Sequence, residues 1–204
     1  MVINTNKEAK KILQNSDYKK KYLFKKNLFV CQNKKDIQLT NIRRSRGYNF
    51  EHNLVKKLNL GKWMARRLGG SSTGLPDIVA VNNTESILLS IEAKSGTSNS
   101  IYVPDDQIGR CFLITQMFEI YSDRHIILAF KFMRKKRQMI DGEIKYKPRE
   151  IKEYYKIIKF KKKPTIFPII KCNYNGDTFA IYKTKMKKVK LKDFRMPFKY
   201  NNNT

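Results

Sequence analysis

Two carboxylates and a lysine at the ends of two neighbouring apolar runs are the residues best suited to chemistry in this chain. Asp77 opens the run 76–81 (PDIVAV), and Glu92 and Lys94 close the run 87–94 (ILLSIEAK). Carboxylate oxygens are the hard ligands that Mg²⁺ and Mn²⁺ prefer, and such a metal polarises a phosphate and lowers the pKa of bound water. A neighbouring lysine can orient or deprotonate that water, or neutralise charge on the phosphate. The three residues therefore suit phosphodiester hydrolysis.

A β-hairpin would bring these side chains together. Turn-forming residues precede, separate and follow the two runs, which predicts two short strands joined by a tight turn. In a hairpin the start of the first strand lies beside the end of the second, so Asp77 meets Glu92 although they are 15 positions apart. Glu92 and Lys94 are two residues apart and leave the same face of their strand.

The alternative is a solvated strand end that carries an ordinary ion pair. Pro-Asp is common in turns, and Glu-x-Lys arises readily in a lysine-rich chain. The apolar residues around both acids favour the catalytic interpretation, because a buried carboxylate without a partner is costly.

The segments upstream of the hairpin can add to the same site. Residues 45–60 are predicted to form an amphipathic helix, with Glu51 beside its apolar stripe near the helix start. Glu51 is either a solvated edge residue or a third acid of the site. A strand over 63–68 leads into the glycine- and hydroxyl-rich loop 69–76, which either offers N–H groups and a hydroxyl to a phosphate or is an ordinary long turn.

The order of these residues resembles the archaeal Holliday junction resolvases, members of the restriction-endonuclease-like PD-(D/E)xK nucleases. The resemblance covers about residues 43–132 and rests on Gly47, Phe50, Glu51, Arg67, Ser71, 76–80, 91–94, Ile101 and Tyr102. It implies a Mg²⁺-dependent homodimer, in which Mn²⁺ can substitute, that nicks two opposed strands of a four-way DNA junction during recombination and repair.

The resemblance also assigns roles to individual residues. It implies that the metal ligands are Glu51, Asp77 and Glu92. The catalytic set implied is Lys94, Glu92, Asp77, Glu51 and the loop serine Ser71, for which Ser72 is the fallback. The expected DNA contacts are Arg46, Arg66, the strand arginine Arg67, and Ser72. The chain departs from the family at His52, where arginine is usual, and in its longer C-terminal third.

The predicted fold is α/β, with a restriction-endonuclease-like mixed central β-sheet flanked by helices. Residues 43–135 form the predicted nuclease core, including a second helix over 105–121 and a strand over 125–133. Residues 1–42 are predicted to be a basic, weakly ordered arm. Residues 136–204 are predicted to be a basic, aromatic-rich extension that can continue the sheet, with a hairpin turn at Asn175-Gly176.

The charge distribution indicates a polyanionic partner. The net charge is +27, and residues 1–46 carry 13 basic and 3 acidic side chains, residues 47–135 carry 11 and 8, and residues 136–204 carry 20 and 6. Nucleic acid fits these basic flanks, and no apolar run approaches the roughly 18 residues of a membrane-spanning helix. The three cysteines are far apart and odd in number. That pattern is typical of reduced thiols, so we expect a cytoplasmic, nucleoid-associated protein.

Two other functions remain open at this stage. One is a PD-(D/E)xK nuclease of the restriction or repair type, which would cleave linear duplex or flaps as readily as junctions. The other is a non-catalytic basic nucleic-acid-binding protein whose acids are structural. That protein would bind DNA without regard to Mg²⁺ and would not cut it.

Overall fold

A computed structural model describes residues 45, 47–68, 74–160 and 162–198. The predicted N-terminal arm, 1–42, lies outside the described residues, as do Arg46, Ser71 and Ser72. The three-part division of the chain therefore stays a prediction.

Two helices and twelve strands make up the described part of the chain. Helix α1 covers residues 47–58, and helix α2 covers Asp105–Met117. The first six strands are β1 (Met64–Arg67), β2 (Ile78–Asn82), β3 (Ile87–Gly96), β4 (Ser100–Val103), β5 (Asp123–Phe132) and β6 (Lys135–Ile140). The remaining six are β7 (Glu143–Pro148), β8 (Lys152–Ile158), β9 (Ile169–Asn173), β10 (Thr178–Tyr182), β11 (Lys185–Val189) and β12 (Lys192–Asp193).

The central sheet has six strands in the order β1-β2-β3-β5-β8-β12. β3 and β5 are parallel, and every other neighbouring pair is antiparallel, so the sheet is mixed. A parallel pair needs a crossover connection, and here β4 and α2 supply it. The sheet and its two flanking helices confirm the predicted α/β architecture.

Apolar side chains cover both faces of the central sheet. In β5, Ile127 and Ala129 join the cluster that contains Phe50, Leu54 and Leu58 of α1. The alternate residues of β5 join the cluster on the other face, which contains residues of α2. This period of two is what a strand buried on both faces requires. The two helices therefore fix β3 between them, with Leu88 to Ala93 all buried.

A second sheet, in the order β11-β10-β9-β4, packs on the face that α2 covers. β9 and β10 form the predicted hairpin, and Gly176 in their turn has a φ of +88°. A Cβ at Gly176 would lie 2.8 Å from a ring carbon of Tyr154, so both the backbone conformation and the space require glycine there. β6 and β7 pair only with each other.

Two elements differ from the sequence prediction. α2 ends at Met117 rather than at residue 121, and Ser122 and Asp123 are instead held by Ser86, whose Oγ and carbonyl accept their N–H groups at 3.0 and 3.1 Å. β4 was not predicted, because four residues between Asn99 and Pro104 give too short a pattern. No helix among the described residues is long and apolar enough to cross a membrane.

Candidate active site

The hairpin of β2 and β3 places Asp77 beside Glu92. Ile78 pairs with Ile91, so Asp77, one residue earlier, lies at the open end of the hairpin next to the following residue of β3. The Ala93 N–H donates to Asp77 Oδ2 at 2.9 Å, and the Leu68 N–H donates to the Asp77 carbonyl at 3.0 Å. The first bond holds the Asp77 carboxylate against β3, as the hairpin prediction required, and the second holds its backbone beside the end of β1.

Lys94 joins the two carboxylates. Its Nζ donates a hydrogen bond to Glu92 Oε1 and lies 3.6 Å from Asp77 Oδ2. Glu92 is the most deeply buried of the three, with 2% of its side chain exposed, against 19% for Asp77 and 25% for Lys94. The site is therefore a nearly buried acid next to a more accessible acid and an ammonium group.

Glu51 approaches the cluster from α1. Its carboxylate accepts a hydrogen bond from Arg67 Nε on β1, and 12% of the Glu51 side chain is exposed. The Arg67 guanidinium lies 4.7 Å from the centre of the Tyr48 ring, which stacks on His52 at 5.7 Å. Arg67 therefore ties the first strand to the acid-bearing face of α1.

Burial controls the electrostatics of this group. It raises the pKa of Glu92 to about 7, an effect that Lys94 opposes and Asp77 reinforces. It also raises the pKa of Glu51, against the hydrogen bond from Arg67. Burial lowers the pKa of Lys94, but the Glu92 and Asp77 carboxylates raise it by more, so the net pKa lies above its ordinary value. Lys94 is thus an ammonium group at neutral pH, while Glu92 lacks full compensation for its charge.

The donor set fits a hard divalent cation. One ammonium group contacts both Asp77 and Glu92, so the two carboxylates face a common position for positive charge. All the candidate donors are oxygens, which suits Mg²⁺ or Mn²⁺. Among the described residues, no three His, Cys, Asp or Glu side chains are already grouped to hold a metal. Arg67 binds Oε2 of Glu51, so Glu51 would become a third ligand through its other oxygen or by turning from that partner.

Of the predicted DNA-contact residues, Arg66 is described but has no contact with the acid–lysine cluster among its hydrogen bonds. Arg66 donates from Nη1 to the Ala65 carbonyl at 3.0 Å, and its DNA contact stays a prediction. Sequence reasoning missed Tyr48, which is 47% exposed and supports Arg67. Its spacing of four residues from His52 on a predicted helix was the available signal, because such residues are neighbours on a helix surface.

Comparison with known proteins places this chain within a family. A family model described as archaeal Holliday junction resolvase (Hjc) matches residues 42–150, which is more than half of the chain. Among solved structures, Hjc of Archaeoglobus fulgidus, a Holliday junction resolvase from an archaeal hyperthermophile, matches at 24% identity with a TM-score of 0.36. That match covers 47% of this chain and 82% of the other. No curated protein matches. Since the family model spans the acid–lysine cluster and both strands that carry it, the chain belongs to the archaeal Holliday junction resolvase family, a family of nucleases.

Proposed function

We propose that this chain is a metal-dependent endonuclease that resolves four-way DNA junctions by paired, symmetric nicks. The observation that carries the proposal is the convergence of Asp77, Glu92 and Lys94 at one end of the β2–β3 hairpin, inside the segment that matches the family. Branched DNA is the substrate class that the family implies. The strongly basic chain supplies the affinity for it.

Asp77 and Glu92 would hold Mg²⁺, or Mn²⁺ in its place, with Glu51 as a third ligand. Such a cation supplies polarisation of the scissile phosphate and a lower pKa for the attacking water. Glu92 is suited to this role because burial has left its charge only partly compensated, so a second cation beside it is favourable.

Lys94 would orient or deprotonate the attacking water, or act as a positive charge beside the phosphate. Before a cation binds, the Glu92 and Asp77 carboxylates raise the pKa of Lys94. An ammonium group at that position orients the water by hydrogen bonding and stabilises the negative charge that develops on the phosphate. Ser71, or Ser72 in its place, would add a hydroxyl to the catalytic set.

DNA contacts and oligomeric state complete the proposal. Arg46, Arg66, Arg67 and Ser72 would contact the DNA backbone near the cut. Two symmetric cuts require two active sites, and one site per chain therefore calls for a homodimer with two-fold symmetry. We infer a role in recombination and repair at the nucleoid, in the cytoplasm. The basic segment 1–42 would add affinity through its phosphate contacts, without selecting a DNA shape.

The test is cleavage of an end-labelled four-way junction and of a linear duplex with the same arm sequence, each with Mg²⁺ or with EDTA. The proposal expects paired nicks in the junction that need Mg²⁺, and little cutting of the duplex. Equal cutting of both substrates would indicate a repair or restriction type of nuclease. Tight binding without cleavage in any divalent metal would indicate a non-catalytic DNA-binding protein.

A further inference from the structure

The strands β6 and β7 form a two-stranded ribbon, residues 135–148, that belongs to neither larger sheet. All six residues of β7 are exposed, and β6 alternates between exposed and half-buried residues. Asp141 and Gly142 connect the strands with φ values of +53° and +74°, which is the two-residue turn that matches strand twist. The ribbon carries five basic and two acidic side chains.

The base of the ribbon is fixed at the end of β3. Arg149 donates from Nε to the Met133 carbonyl at 2.9 Å, and from Nη2 to the carbonyls of Ser98 at 3.1 Å and Gly96 at 3.3 Å. Its guanidinium also lies 4.7 Å from the centre of the Tyr174 ring. These contacts span four segments of chain, so they set the direction in which the ribbon leaves the core.

The ribbon leaves from the end of the sheet that carries the acid–lysine cluster. Arg137 N–H donates to the Thr97 carbonyl at 2.9 Å, and Lys94 lies three residues before Thr97. Three residues of extended strand span about 10 Å. The ribbon therefore begins within about 10 Å of the candidate site, which is close to the width of a DNA major groove.

One face of the ribbon carries three lysines, Lys136, Lys145 and Lys147, and one acid, Glu143, which lies next to the turn. Lys136 lies directly opposite Lys147, and Gln138 lies opposite Lys145, and residues directly opposite in a ladder share a face. Two like charges opposite each other destabilise a ribbon by themselves. Asp141, in the turn, lies 4.0 Å from Lys145. An anionic partner on this face would remove the repulsion.

We propose that the ribbon 135–148 is a DNA-binding arm that lies along the duplex next to the cut site, with its lysine face on the phosphates. Six residues per strand make the ribbon about 20 Å long, with strands about 5 Å apart. A two-stranded ribbon of that size fits the roughly 12 Å width of a major groove. That the partner is DNA rests on the proposed function. The ribbon is the surface of the chain that would contact this DNA.

The test compares two matched variants of the full chain. Lys136→Gln/Lys145→Gln/Lys147→Gln removes three charges from the ribbon. Lys185→Gln/Lys187→Gln/Lys190→Gln removes three exposed charges in β11 of the second sheet and directly after it. Affinity for a four-way junction is measured in EDTA at several salt concentrations. Each lost phosphate contact lowers the slope of log K against log[salt] by about 0.9, so the ribbon variant should lose roughly 2 to 3. The control variant should keep the parental slope, and thermal melts should show both variants folded.

Equal slopes for the ribbon variant and the parent would overturn the proposal, and so would an equal loss in the control variant. The other face of the ribbon exposes Met139 (67%) and Ile144 (47%), which lie opposite each other. If Met139→Gln/Ile144→Thr dissociates a dimer while DNA affinity is unchanged in both ribbon variants, the ribbon is a subunit contact and the proposal is wrong. If the ribbon variant loses salt dependence but the parent never cleaves a junction, the ribbon binds DNA and the proposed nuclease function is wrong. If the parent cleaves junctions but the ribbon variant keeps the parental salt slope, the nuclease function stands and the DNA-binding role of the ribbon is wrong.

Discussion

Two glutamate–lysine pairs on the central sheet differ in how fully the negative charge of the glutamate is stabilised by its neighbours. Glu153 on β8 lies opposite Lys131 on β5, with 2.8 Å between Oε1 and Nζ, and it accepts a hydrogen bond from the Tyr155 hydroxyl at 2.7 Å. Burial raises the pKa of Glu153, but these hydrogen bonds lower it by more, so the net pKa lies below its ordinary value. Burial dominates instead at Glu92, where the pKa is raised to about 7.

The difference separates a structural pair from a site that can accept another cation. Glu153 accepts from two donors, and 18% of its side chain is exposed to solvent. Its negative charge therefore needs no further cation. Glu92 has 2% exposure, and a second carboxylate, Asp77, shares its lysine. The same residue types in the same sheet therefore do different things, because the desolvation of the acid and the number of its donors differ.

Removal of the two acids or the lysine of the site should have the largest effect. Asp77→Asn, Glu92→Gln and Lys94→Ala should each lower the single-turnover rate of junction cleavage by at least about 100- to 1,000-fold, because each removes preorganised charge at the phosphate. Junction affinity should be largely kept, since it depends on the basic flanks.

Glu153→Gln is the matched control for this comparison. It removes a half-buried acid from the structural glutamate–lysine pair, and its cleavage rate should stay within about threefold of the parent. A few per cent of residual activity in Asp77→Asn, or a comparable loss in Glu153→Gln, would contradict the assignment of the site.

Metal binding should stabilise only the chain with an intact site. At a metal concentration of 100 times its Kd, a ligand that binds only the folded state adds about 2.7 kcal/mol to the free energy of unfolding. Mg²⁺ or Mn²⁺ should therefore raise the Tm of the parent and of Glu153→Gln, but not that of Glu92→Gln. Equal metal-induced shifts in all three proteins would place the cation elsewhere.

The third acid should have an intermediate effect. Glu51→Gln should lower the cleavage rate by about tenfold at low Mg²⁺ and raise the metal concentration needed for half-maximal rate. The reason is that loss of a ligand weakens metal binding. Arg67→Ala frees Glu51 from its present partner and should not raise that concentration. A Glu51→Gln variant with the parental metal requirement would show that Glu51 only anchors Arg67.

The sequence predicts the hairpin and its three side chains well, because the pattern is local. Two apolar runs joined by a tight turn fix which residues are opposite, and the period of two fixes which share a face. The partner of Glu51 was not predictable in this way. Its bond to Arg67 joins a helix to a strand 16 residues later, and it depends on how α1 crosses the sheet.

The ends of α2 and the anchor of the ribbon show the same limit. The helix start follows from Pro104 and the acids after it, which are local signals. The helix end depends on hydrogen bonds to Ser86, more than 30 residues earlier. Arg149 likewise binds carbonyls more than 50 residues away, and no spacing rule links those positions. Long-range polar contacts of this kind need the assembled fold.

The smallest expected effect is on acid stability, and it tests the structural pair. Because the folded-state pKa of Glu153 is depressed, the unfolded chain takes up the proton first as the pH falls. The contribution of the pair is therefore present above the ordinary glutamate pKa of about 4.3 and is lost as the pH falls through the lower folded value. Urea unfolding in EDTA from about pH 5 down to about pH 3 should show a loss in the parent that Glu153→Gln lacks, on the order of 0.2–1 kcal/mol. Glu92→Gln should keep this acid-side loss, because the raised pKa of Glu92 changes stability between the ordinary glutamate pKa of about 4.3 and about 7, above that window. If Glu92→Gln removed the loss and Glu153→Gln did not, the roles given to the two pairs would have to be exchanged.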